Sequence, residues 1–150
     1  MHYVHELTNL KVGGGLDDVW YNTKTEQIHI VDYKSTSQKT EGKTISLDDP
    51  WKAAYKRQMD LYVWVMRQKG FDVSSTGYFL YCDGDRFSDY SFLKDDDASM
   101  RFAMSLIEYE VDTTWIEPIL EEIKSCLTDT TTPPHNPNCE YGIFINSVNH

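Results

Sequence analysis

Three residues in this 150-residue chain have the types and spacing to do chemistry together: Asp17, Asp32 and Lys34. Asp17 follows a glycine-rich stretch, Gly13-Gly14-Gly15, that marks a tight bend or a close backbone approach. Asp32 and Lys34 end residues 27–34, QIHIVDYK, where Ile28, Ile30 and Asp32 alternate with His29, Val31 and Tyr33. Side chains at i and i+2 share one strand face, so Asp32 and Lys34 project together. Residues 16–21 form a second strand, and the polar turn 22–26 joins the two into a β-hairpin. With its turn near Thr23–Thr25, Asp17 comes alongside Asp32, and two carboxylates converge with an amine. That group suits Mg²⁺, which binds oxygen and often takes only one or two protein carboxylates beside water and substrate phosphate. The chemistry would be Lewis-acid activation of a phosphoryl group and of a water. Lys34 could orient the attacking water or neutralise developing charge.

The elements around this trio predict a mixed α/β sheet. Residues 2–10 are weakly extended. Residues 35–49 are a polar surface loop. Asp48-Asp49-Pro50 opens a helix over 51–68, with Asp as N-cap and Pro in the first turn. Its apolar stripe is Trp51, Tyr55, Met59, Tyr62 and Met66, and Gly70 ends it. Residues 76–82 form a buried strand, 83–85 a turn, 86–93 a strand, and 100–110 a further strand. A last helix over 114–127 carries Trp115, Ile119, Ile123 and Leu127. The tail from Thr128 reads as irregular, docked through Tyr141, Ile143 and Phe144.

Composition bounds the class. Hydrophobic residues make up 40% and aromatics 13%, enough for one real core in a single domain over 1–150. No apolar run approaches the roughly 20 residues of a membrane helix, and the start has no signal-peptide pattern, so no membrane role is expected. Three widely spaced cysteines, Cys82, Cys126 and Cys139, build neither a disulfide framework nor a zinc pattern, which fits a cytoplasmic setting. The net charge of −10 argues against broad, charge-driven nucleic-acid binding. The cations cluster, however: Lys39, Lys43, Lys52, Lys56, Arg57, Arg67 and Lys69 lie close in sequence. The acids lie largely elsewhere, at Asp95-Asp96-Asp97 and Glu117, Glu121 and Glu122.

Three segments in order carry a family resemblance: Gly14-Gly15-Leu16-Asp17, Ile30-Val31-Asp32-Tyr33-Lys34-Ser35-Thr36, and Gln58-Met59-Asp60-Leu61-Tyr62. Together they resemble the PD-(D/E)XK nuclease superfamily, and within it the RecB-like exonuclease branch, over residues 12–82. The resemblance implies a restriction-endonuclease-like mixed central sheet of about five strands flanked by helices. It implies a Mg²⁺- or Mn²⁺-dependent deoxyribonuclease, exonuclease-like, in DNA repair, recombination or phage biology. The partner would be double- or single-stranded DNA, alone or within a recombination or repair complex. Asp17 and Asp32 would be metal ligands, with the Tyr33 backbone carbonyl as a third, and Lys34 the catalytic lysine. Gln58 and Tyr62, one helical turn apart, would reach the site or the nucleic-acid backbone. The alternative function is a catalytically impaired fold acting as a nucleic-acid-binding or protein-interaction module.

Two departures from the branch pattern stand out. An upstream helix usually adds a Glu or His to the metal, yet only sixteen residues precede Asp17 here. His2, His5 and Glu6 match by type without a motif, and both histidines read as solvated. Some relatives hold an iron–sulfur cluster on four cysteines; residues 137–142 resemble that region but keep only Cys139, so no cluster is expected. Among the rest, His29 reads as packed on the second sheet face and Asp18 points away from Asp17. Asp95–Asp97 reads as a charged turn, Cys82 as buried, and the four tryptophans as mostly core. Trp51 or Tyr55 could instead stack on a splayed base.

Overall fold

A computed structural model describes residues 1–37, 45–86, 93–134 and 136–148. A short antiparallel hairpin comes first, β1 (His2–Val4) with β2 (Lys11–Gly13). Then follow β3 (Asp18–Tyr21), β4 (Ile28–Thr36), a 3-10 turn at Pro50–Lys52, α1 (Ala53–Gln68) and β5 (Thr76–Asp85). A two-residue hairpin, β6 (Leu93–Lys94) and β7 (Asp97–Ala98), precedes β8 (Arg101–Glu110), α2 (Ile116–Thr128) and α3 (Glu140–Val148).

Among the described residues the main sheet has four strands, in the order β3-β4-β5-β8, beside the about five that the resemblance implies. β3 pairs antiparallel with β4, and β8 antiparallel with β5. The central pair, β4 and β5, is parallel, which requires a crossover, and α1 supplies it. This is the mixed α/β architecture of a restriction-endonuclease-like fold.

The alternation of β4 places Ile30 and Asp32 under α1 beside Phe79 and Tyr81 of β5, all at most 3% exposed. Met59, Tyr62, Val63 and Met66 of α1 close this core from above. A second core forms on the far side of α1, where Trp64 and Val65 meet Ile116 and Leu120 of α2 and Tyr3, Leu10 and Val12 of the first hairpin.

Several expectations are corrected. Residues 83–85 continue β5 rather than turning, because each pairs in register with β8, from Asp83 opposite Ala103 to Asp85 opposite Arg101. The strand expected over 86–93 falls mostly outside the described residues. Asp49 takes the N-cap position, but its carboxylate pairs with Lys52 at 2.8 Å instead of capping an amide. The buried stripe of α2 is Ile116 and Leu120, while Ile119, Ile123 and Leu127 are exposed. The tail forms α3, and Tyr141, Ile143 and Phe144 lie exposed rather than docked. Tyr141, Phe144, Ile145 and Val148 have the i, i+3, i+4, i+7 spacing of a helix, a signal that the Pro- and Asn-rich stretch before it obscures. Among the described residues, no helix is long and apolar enough to cross a membrane.

Candidate active site

The site lies where β4 runs past the start of β3. β3 pairs with β4 only as far as Asp18 opposite Val31, so among the described residues the next β4 residues have no strand partner on that edge. Asp17 fills the gap with its side chain: the Tyr33 backbone N–H donates to Asp17 Oδ2 at 2.8 Å. A strand residue turns its N–H and C=O to the same edge, so the Tyr33 carbonyl faces the Asp17 side as well.

Asp32 is 3% exposed on the opposite face of Tyr33. Its Oδ2 forms an ion pair with the Lys34 ammonium, but that oxygen accepts no well-directed hydrogen bond among the described residues. Burial pushes the Asp32 carboxyl above the usual carboxylate range; Lys34 opposes the shift, and the neighbouring Asp17 carboxylate adds to it. A desolvated, incompletely partnered carboxylate beside a second, exposed carboxylate is an arrangement that a divalent cation would relieve. The residues present therefore fit a hard metal ion. Among the described residues no group of three or more His, Cys, Asp or Glu side chains converges.

Lys34 is held from three sides. It pairs with Asp32, donates to Gln58 Oε1 at 3.4 Å, and sits 4.4 Å from the centroid of the Tyr55 ring. Gln58 in turn donates from Nε2 to the Tyr62 hydroxyl at 2.7 Å. Gln58 and Tyr62 thus share one face of α1, with Tyr62 8% exposed in the core. Gly14 makes room for them: a Cβ there would lie 2.7 Å from Tyr62 Cε1. The fold thus brings Asp17, Asp32, Tyr33, Lys34, Gln58 and Tyr62 to one place.

The upstream candidates do not join them. His5 is buried, not solvated: Nδ1 meets Thr8 Oγ1 at 2.8 Å, and Nε2 meets Glu117 at 2.7 Å. Both ring nitrogens are engaged, Nδ1 within the turn of the first hairpin and Nε2 in tying that hairpin to α2, so neither is available as a ligand. His2 and Glu6 are exposed. Asp18 turns away from Asp17 to the Tyr33 hydroxyl and the Trp20 indole, and the Tyr33 hydroxyl holds its carboxyl below the usual range. His29 packs on Tyr78 and hydrogen-bonds the Thr76 carbonyl at 2.8 Å.

Residue-by-residue reading missed two features. Tyr55 packs against the core as its place in the apolar stripe predicts, and it also forms the aromatic lid of Lys34, a second role that the spacing does not signal. Asp60, 3% exposed, accepts from the Asp112 amide (3.0 Å), the Trp115 indole (3.0 Å) and the Tyr109 hydroxyl (3.3 Å), fastening α1 to the β8–α2 connection. An acidic residue within an apolar helical stretch is the only sequence signal for that role.

The chain belongs to the PD-(D/E)XK nuclease superfamily, whose family model matches residues 3–143. Its members are generally nucleases that act on nucleic acid with divalent metals. No curated protein and no solved structure matches the chain.

Proposed function

We propose that this chain hydrolyses DNA phosphodiester bonds with Mg²⁺ or Mn²⁺, in the exonuclease-like manner of the RecB-like branch, within one domain and in the cytoplasm. The convergence of Asp17, Asp32 and Lys34 at the edge of β4 beyond its pairing with β3 carries the reading. Asp17, Asp32 and the Tyr33 carbonyl would hold the ion. When bound, it would polarise the scissile phosphate and make a water more acidic. Lys34, fixed by Asp32, Gln58 and the Tyr55 ring, orients the attacking water or balances charge that develops on the phosphate. Gln58 positions Lys34, and Tyr62 positions Gln58. The branch assignment rests on Gly15-Leu16-Asp17, Asp32-Tyr33-Lys34 and Gln58-x-x-x-Tyr62 occurring in order.

Incubation with linear duplex and single-stranded DNA in Mn²⁺, Mg²⁺ or EDTA tests the proposal. Metal-dependent cleavage that disappears in Asp32→Ala and Lys34→Ala is the expected result. Wild-type protein that binds DNA without cutting it in either metal would point instead to a non-catalytic binding module.

A further inference from the structure

Trp51 is the exposed member of four tryptophans. Trp64 is buried, Trp20 and Trp115 are half-buried, and Trp51 is 58% exposed. Leaving so large an apolar ring in water forgoes burial that would stabilise the fold. Its neighbours explain how it keeps one orientation. The Lys52 ammonium lies over the ring at 4.9 Å from the centroid. Lys52 is itself fully buried, donating to the Ser46 carbonyl at 2.6 Å and paired with Asp49 at 2.8 Å, so it is a fixed post. Tyr55 meets the indole edge-on, with centroids 5.7 Å apart and planes at 83°. The same Tyr55 ring lies 4.4 Å from Lys34 Nζ. These two steps put the exposed indole within about 10 Å of the lysine that contacts Asp32.

We infer that Trp51 is a stacking platform for an unpaired nucleobase beside the phosphate held at Asp17, Asp32 and Lys34. The inference rests on the nuclease reading of that site and narrows its substrate to single strands, overhangs or frayed ends. A braced indole with exposed surface is what a splayed base needs, because every base has a π-face and stacking is tolerant of sequence. A base inside a blunt duplex is already stacked on its neighbours and gains nothing from the platform. The acidic net charge agrees with this, since stacking supplies affinity without many phosphate contacts.

Fluorescence anisotropy with labelled oligothymidylate, oligouridylate and a blunt duplex of equal length, in Ca²⁺ to suppress turnover, tests the platform. Wild type should bind single strands more tightly than the duplex. Trp51→Ala and Trp51→Leu should each weaken single-strand binding roughly tenfold and leave duplex binding unchanged, while Trp51→Phe keeps most of the affinity. Melting curves of all three should stay near wild type, because the ring is largely outside the core. Loss in Trp51→Ala on either oligothymidylate or oligouridylate supports the platform. Equal affinity of wild type and Trp51→Ala for both single strands, equal loss on duplex, or no binding by wild type overturns it. Cleavage by the same proteins separates this from the parent reading. Trp51-dependent binding without wild-type cleavage would remove the hydrolase and leave the platform. Cleavage indifferent to Trp51 would do the reverse.

Discussion

Asp60→Ala should loosen the helix that carries Tyr55, Gln58 and Tyr62, and the cost can be worked from its contacts. The variant deprives the Trp115 indole, the Asp112 amide and the Tyr109 hydroxyl of one shared acceptor. A buried donor left without a partner costs about 1–3 kcal/mol. Asp112 is exposed, so water can reach its amide, whereas Trp115 is half-buried and its indole N–H loses more. The carboxylate is also desolvated, and removing that burden returns part of the loss. The net is about 2–3 kcal/mol, or roughly 5–10 °C in melting temperature for a domain of this size. Acidification adds a sign test. Burial raises the Asp60 carboxyl above its ordinary value, opposed by its hydrogen bonds from Trp115, Asp112 and Tyr109. The folded protein therefore binds this proton at a higher pH than the unfolded chain. The group's contribution is fully present below the unfolded value and lost as pH rises through the folded one. The gap between wild type and Asp60→Ala should therefore be wider at pH 4 than at pH 7. Urea unfolding followed by circular dichroism at both pH values measures it. A variant as stable as wild type at pH 7, or a gap that closes on acidification, would refute the reasoning.

Three further outcomes are expected. Asp17→Ala removes an exposed acceptor of one backbone hydrogen bond, so stability should fall by only about 1 kcal/mol while cleavage is abolished. A much larger fall in the melt would make Asp17 a structural residue. Gly14→Ala should press on the buried Tyr62 ring, costing about 1–3 kcal/mol and slowing cleavage by displacing Gln58. Unchanged melting and cleavage together would contradict that packing. Mn²⁺ at about a hundred times its Kd should stabilise wild type by about 2.7 kcal/mol, a rise of roughly 5–10 °C, and should leave Asp32→Asn unmoved. Equal rises in both proteins would place the ion elsewhere.

The parts of this fold that sequence makes legible are those set by local pattern. The alternation from Ile28 to Lys34 separates the two faces of β4 and puts buried Ile30 and Asp32 on one of them, but it does not signal that Val31, on the other face, is fully buried as well. The short polar turn predicts the β3–β4 hairpin, which carries Asp17 to the edge of Tyr33. Gln58 and Tyr62 share a helix face by spacing alone, and they meet at 2.7 Å. What sequence hides depends on distant partners. His5 reads as a solvated terminal residue because Glu117 and Trp64, which bury it, lie far along the chain. Trp51 continues the apolar stripe of α1, but a 3-10 turn begins at Pro50 and puts the ring outside the α-helix and into solvent. Tyr55 belongs to that stripe too, and only the β4–α1 packing turns it into the lid over Lys34. α3 is apolar at helical spacing, yet its exposed side chains could not be read from spacing, which gives a helix's face but not whether anything covers it.

Calorimetric titration of Mn²⁺ into wild type, Asp17→Ala and Asp32→Ala tests the central claim most directly: the carboxylates from the start of β3 and from β4 hold one ion between them. The account predicts saturable binding by wild type and its loss in each single variant, with both variants still folded by circular dichroism. Wild-type affinity retained in either folded variant would contradict it.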